Sequence, residues 1–126
     1  MSISSIKKVL VVDDERVQRL FMSKLIQKVK PNTFIVTACD GNQAIEKFVE
    51  TCDFDIVFMD LTMPDCDGFT AAKTIRLMDE TVLIYPVTAF GNDKELKQKC
   101  IEAEMNGYYT KPLKKQNIME VFAKLS

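Results

Sequence analysis

Histidine and tryptophan are both missing from the chain. The missing imidazole excludes a serine–histidine triad, a histidine general base and a histidine-ligated metal. Any phosphohistidine chemistry must therefore come from a partner. No apolar run reaches the roughly 20 residues of a membrane span, and nothing at the start reads as a secretory signal. Net charge is only -1, so there is no global attraction to nucleic acid or to an anionic membrane. Glycine and proline are scarce, four of each, and no linker, repeat or low-complexity stretch interrupts the chain. Cys39, Cys52, Cys66 and Cys100 lack the paired spacing of a zinc site. They read as reduced thiols of a cytoplasmic protein, with Cys66 an incidental loop residue. At 126 residues, 47% of them apolar, the chain fits a single domain over 1–126 with a core that needs no disulfides.

Strand-like and helix-like segments alternate from end to end. Residues 8–13, 33–39, 55–60, 82–88 and 107–110 are short, apolar and rich in β-branched or aromatic side chains. Between them lie segments of helical period at 15–30, around Ala44 to Val49, at 68–79, 93–104 and 115–125. The first helix is expected to turn Val17, Leu20, Phe21, Leu25 and Val29 inward, and the third Ala71, Ile75 and Met78. Asp40–Gly41 reads as a turn. Five such pairs predict an α/β fold, a doubly wound parallel sheet with helices on both faces. The order 2-1-3-4-5, the flavodoxin-like arrangement, makes strands one and three neighbours at the switch point, where such sheets bind ligands.

That order brings particular side chains together. The run KVLVVDD ends in Asp13 and Asp14, DIVFMD in Asp60, YPVTA carries Thr88, and GYYTKP carries Lys111. Three carboxylates at one sheet edge repel one another unless cations compensate. Oxygen-only ligands suit Mg²⁺, with Mn²⁺ as the alternative, rather than zinc. The metal and Lys111 would then face a transferring phosphoryl group, Thr88 would hydrogen-bond it, and Asp60 would be the nucleophile, giving an acyl phosphate. Each residue also has a plainer role. Asp14–Glu15 caps the first helix, Asp60 ends a strand, Thr88 is a buried β-former and Lys111 is a surface lysine. It is their joint occurrence, in order on successive elements, that argues for a site.

The segments VLVVDDE, DIVFMDLTMPDCDGF, VTAF and GYYTKP resemble, in combination and over nearly the whole chain, a response-regulator receiver domain of the chemotaxis-regulator type. The resemblance implies that Asp60 accepts the phosphoryl group from a histidine kinase or a histidine phosphotransfer protein. It implies that Asp14 binds the metal directly, Asp13 through water and Thr62 through its backbone carbonyl. Thr88 would be the switch hydroxyl, Tyr108 the aromatic that turns with it, and Lys111 the phosphoryl-binding lysine, followed by a cis Pro112. Output would pass to a protein target through the helix 4–strand 5–helix 5 face, with no direct nucleic-acid or membrane contact.

Two positions depart from the pattern. Pro86 falls inside the fourth strand and predicts a bulge or a break in pairing. Glu104–Met105 stands where the family often has a small turn residue. Thr62 and Phe90, two residues after Asp60 and Thr88, occupy positions that influence hydrolysis in the family; their types predict slow self-dephosphorylation. Three other functions share parts of this pattern. A Mg-dependent phosphohydrolase of the haloacid-dehalogenase kind needs an acid where Thr62 stands. A nucleotide or flavin module needs a glycine-rich loop after strand one, where the chain is acidic. A degenerate receiver that only binds protein would not need the full set of site residues. Met1 and the short polar lead favour a free-standing regulator, while DIVFMDLTMPDCDGF is more like the receivers of hybrid kinases.

Overall fold

The computed structural model describes residues 6–61, 68–91 and 93–125. The elements run β1 (Lys8–Val12), α1 (Arg16–Val29), β2 (Phe34–Ala38), α2 (Gly41–Thr51), β3 (Ile56–Asp60), α3 (Gly68–Met78), β4 (Leu83–Thr88), α4 (Lys94–Glu102), β5 (Tyr109–Thr110) and α5 (Lys115–Ala123). The five strands form one parallel sheet in the order β2-β1-β3-β4-β5, as the alternating pattern predicts. None of the described helices is long and apolar enough to cross a membrane.

Strand alternation divides the core in two. Leu10, Val12, Val57, Met59 and Ile84 face Ala44, Phe48, Ala71, Ala72 and Ile75 on α2 and α3. Val9, Val11, Ile56, Phe58, Tyr85 and Val87 face Met22 and Ile26 on α1 and Ile118, Val121 and Phe122 on α5. The central strands are apolar throughout because both their faces are covered.

The helix faces differ from expectation in places. Val17, Leu20 and Phe21 point outward at 75%, 49% and 44% exposure, while Met22 and Ile26 carry α1 onto the sheet. Helix α1 has two overlapping apolar stripes, and the one with more aliphatic bulk beside Leu25 and Val29 won the burial. Met78, at the end of α3, is likewise exposed. The Asp40–Gly41 turn is a helix start: Asp40 accepts a hydrogen bond from Gln43 N at 2.7 Å as the N-cap of α2. Glu15 holds the N-cap position of α1 without a side-chain cap.

Pro86 neither bulges nor breaks β4. The register with β3 runs unbroken through Met59↔Pro86. Ile84 N and O both meet Asn106, and Thr88 O accepts from Lys111 N, so alternation turns Pro86 N to this same side. There β5 starts pairing only at Val87↔Tyr109, so the absent N–H removes no bond to β3. Beyond α4, Glu104 takes φ 58, a left-handed C′ position that usually holds glycine, and Met105 N donates to Cys100 O. Gly107 is fixed by space: a Cβ there would stand 2.8 Å from a ring carbon of Tyr85.

Candidate functional site

Residue parity builds the site. Asp60 ends β3 on the side of the sheet that Ile56 and Phe58 face, and Asp13 follows β1 in step with Val9 and Val11. Lys111 follows β5 in step with Tyr109, which packs on that same cluster. Three strand ends thus aim one acid, another acid and one ammonium at one point above α1 and α5. Lys111 Nζ lies 3.0 Å from Asp13 Oδ2 and 3.4 Å from Asp60 Oδ2. Asp13, Asp14 and Asp60 each offer a carboxylate oxygen within 4.8 Å of the others. Asp13 and Asp60 are both buried at 1% exposure, whereas Asp14 opens to solvent.

The backbone holds these groups in place. Asp13 Oδ1 accepts from Glu15 N at 2.9 Å, tying the strand end to the start of α1. Gly68 begins α3 beneath Asp60; a Cβ there would lie 2.6 Å from the Asp60 carbonyl oxygen, so only glycine lets the chain come that close. The peptide bond between Lys111 and Pro112 is cis, as the family resemblance implies. Burial pushes the Asp13 carboxyl above its ordinary pKa, and the nearby Asp60 charge adds to this, against the pull of Glu15 N–H and Lys111. Burial alone would lower Lys111, but its hydrogen bond to Asp13 and the charge of Asp60 outweigh that and raise it. An excess of negative charge around one ammonium, with oxygen the only ligand type, fits a hard divalent cation.

Thr88, fully buried, ends β4 one residue past the Asp60↔Val87 pair. Its Oγ1 accepts from Phe90 N at 3.2 Å, and Phe90's carbonyl accepts from the hydroxyl of Tyr108. A single peptide segment therefore joins the threonine to the half-buried tyrosine, and Lys97 Nζ sits 5.3 Å from the centre of the Tyr108 ring. Thr62 and Cys66 lie outside the described residues. Among those described, Cys39, Cys52 and Cys100 are free thiols.

Sequence reasoning missed two arginines. Arg19 Nη1 donates to the Asp13 carbonyl at 2.7 Å, pinning the strand end from the first turn of α1. Arg76 joins three segments, donating to the carbonyls of Val82 at 2.7 Å and Glu104 at 3.0 Å, and to Asn106 Oδ1 at 2.8 Å. Sequence position could have suggested Arg19, which stands six residues after Asp13 at the start of the helix that follows the strand. For Arg76 the sequence carries no signal, because most of its partners are backbone carbonyls and Asn106, the one side chain among those named, lies 30 residues away.

The fold and the acidic strand-end cluster define a class: a doubly wound α/β domain with three carboxylates gathered at the carboxyl ends of its strands. Residues 9–123 match the family profile of the response regulator receiver domain, and the chain belongs to that family, the receiver domains of two-component signalling. Among its relatives, the chemotaxis protein CheY of Halobacterium salinarum is 34% identical over 119 residues, covering 93% of this chain and 94% of that protein. The osmosensing histidine protein kinase SLN1 of Saccharomyces cerevisiae is 33% identical over 90% of this chain, which spans only 10% of the kinase. Among solved structures, the chemotaxis protein CheY4 of Vibrio cholerae superposes with a TM-score of 0.85 at 26% identity, over 97% of this chain and 100% of that one.

Proposed function

We propose that this chain is a phospho-accepting switch, in which Asp60 takes a phosphoryl group from a phosphohistidine on a histidine kinase or a histidine phosphotransfer protein. The observation that carries the reading is the single ammonium of Lys111 between the buried carboxylates of Asp13 and Asp60, with Asp14 beside them. Asp60 attacks phosphorus through a carboxylate oxygen, the P–N bond breaks and the pair of electrons leaves with the imidazole. Lys111 holds the charge that builds on the phosphoryl oxygens, and Thr88 offers its hydroxyl to one of them. Asp14, Asp60 and the carbonyl of Thr62 would hold Mg²⁺ or Mn²⁺, with Asp13 reaching it through water. When bound, the ion would supply the positive charge that two buried carboxylates and an incoming phosphoryl group need.

The readout follows from the Thr88–Phe90–Tyr108 connection. A Thr88 hydroxyl drawn to a phosphoryl oxygen loosens its hold on Phe90 N, and with it the carbonyl that Tyr108 uses. The face of α4, β5 and α5 then shifts in population toward a form that a target protein reads. The outward stripe of Val17, Leu20 and Phe21, close in sequence to Asp14, supports protein contact on the donor side. On this reading residues 1–126 form a single cytoplasmic domain that assists its own phosphorylation and dephosphorylation without being a turnover enzyme.

Intact mass after incubation with acetyl phosphate and Mg²⁺ tests it. One phosphoryl group is expected on the wild type and none on Asp60→Asn. An unmodified wild type would leave only the protein-binding alternative, and steady-state release of phosphate from many equivalents of donor would favour the phosphohydrolase.

A further inference from the structure

The phosphoryl chemistry leaves one charged side chain beside the carboxylates without a role. Among the described residues Arg19 belongs to no ion pair, yet its Nη1 reaches back to the Asp13 carbonyl at 2.7 Å. Arg19 is itself tethered, since its own N–H donates to Glu15 O at 3.0 Å and the residue is half-buried. Asp13 is thereby held at every polar atom. Its N–H donates to Ala38 O at 3.1 Å, Oδ1 accepts from Glu15 N at 2.9 Å, Oδ2 faces Lys111 Nζ at 3.0 Å, and the carbonyl accepts from Arg19.

Asp14 is the opposite case. It lies between β1 and α1, it is exposed, and among the described residues its carboxylate has neither hydrogen bond nor ion pair. Such a side chain points where its backbone aims it. Each peptide is a rigid plane, so the two planes that meet at the Asp14 Cα decide that aim. The plane before it carries the Asp13 carbonyl, which Arg19 holds. The plane after it carries Glu15 N–H, which the Asp13 carboxylate holds.

We propose that Arg19 is a positioning residue for divalent-cation binding: its bond to the Asp13 carbonyl fixes the peptide ahead of Asp14 and keeps the Asp14 carboxylate within 4.8 Å of those of Asp13 and Asp60. This deepens the phospho-acceptor reading and rests on its metal site. Groups one step out from the ligands typically contribute about tenfold or more to metal affinity. By charge alone a guanidinium beside a cation site opposes the cation. By geometry Arg19 favours it. The two effects have opposite signs, so a titration separates them.

The test is a calorimetric titration of Mg²⁺ into the metal-free chain, with no phosphoryl donor present. Arg19→Met keeps most of the aliphatic stem and loses both donor and charge. It should weaken Mg²⁺ about tenfold, whereas loss of the charge alone would tighten binding. Arg19→Lys keeps the charge and can donate to the same carbonyl, so it should recover most of the loss. Ile75→Val, a change in the buried layer on the other side of the sheet, lowers stability and should leave Mg²⁺ affinity unchanged. That control separates positioning from general loosening. If Arg19→Met does not fold, Arg19→Gln, two atoms too short for the bond, carries the same expectation. A second arm needs no metal. The heteronuclear ¹⁵N NOE of the Asp14 amide should fall in Arg19→Met and return in Arg19→Lys, with the amides of β1 and β3 unchanged. Three results would overturn the proposal and leave the metal site standing. They are Mg²⁺ bound by Arg19→Met as tightly as by the wild type or more tightly, an equal loss in Ile75→Val, and an Asp14 amide as rigid without Arg19 as with it. A wild type with no saturable Mg²⁺ binding would overturn the metal reading, and the proposal with it.

Discussion

Lys111→Met removes the ammonium and keeps an unbranched apolar stem. In the wild type that ammonium stands 3.0 Å from Asp13 and 3.4 Å from Asp60, both almost wholly buried. At an effective dielectric of about 20, each contact is a gross attraction of roughly 5 kcal/mol. Taking three charges out of water offsets most of it, so the net worth of the cluster is small. Its rupture is different. Deleting one member strands two like charges and typically costs about 3–5 kcal/mol, and the 17% exposure of the Lys111 side chain puts this case near the lower value. Urea denaturation followed by far-UV circular dichroism in EDTA should therefore show a loss of about 3 kcal/mol, a large fraction of a small domain's stability. Asp60→Asn should act in the opposite direction, since it removes one of two acids competing for one base. In the double variant Lys111→Met/Asp60→Asn the deficit should shrink by more than about 1 kcal/mol, a coupling expected only of groups in contact. If the carboxylates hold Mg²⁺ as proposed, saturating Mg²⁺ should recover part of the loss in Lys111→Met, since an ion bound to the folded form alone stabilises it. A Lys111→Met variant within about 0.5 kcal/mol of wild type in EDTA, or a coupling near zero, would refute the premise that these groups share one electrostatic site.

Glu104→Gly should raise stability by about 0.5–1 kcal/mol, because glycine escapes the roughly 1–2 kcal/mol left-handed strain of an L residue and gives back part of it as unfolded-state freedom; calorimetry would show an unchanged or lower Tm if the turn is unstrained. Asp79 is shifted up by burial but, on balance, down by the N–H groups of Thr81 and Val82, the Thr81 hydroxyl and the Arg76 charge. Its folded pKa lies below the unfolded one, so its contribution is present above the ordinary carboxylate range and is lost as pH falls through the folded value. Asp79→Asn should cost about 1 kcal/mol at neutral pH and almost nothing in strong acid; equal losses at both would refute the charge assignment. On the proposed reading, and with the residue types that the family resemblance places at Thr62 and Phe90, phosphorylated Asp60 should decay over many minutes or longer in Mg²⁺, and a half-life of seconds by intact mass would contradict this.

Strand order and the site were legible for the same reason. Buried parallel strands write themselves as continuous apolar runs, and their polar ends fall where the sheet stops, so DIVFMD marks both a strand and an Asp60 pocket. The inward face of α1 was legible only in part: Leu25 and Val29 pack on the core as expected, but Val17, Leu20 and Phe21 do not. Val17, Leu20 and Phe21 obey helical spacing as well as Met22, Leu25 and Ile26 do, and only the sheet beneath decides which stripe is covered. Pro86 misled because a missing donor matters only on the side where a ladder bond would form. The role of Phe90 was hidden too, since it acts through its peptide N–H and carbonyl, and any residue type supplies those.

The sheet's fifth strand is joined to its neighbour over two residues only, with an asparagine side chain and amide standing in for the remainder. The other seams are stitched along four or five residue pairs each. Lys111 and Tyr108 flank this loosest hem. Motion there severs few backbone bonds and leaves both hydrophobic layers shut, so the molecule can change shape at its margin while its interior stays solid.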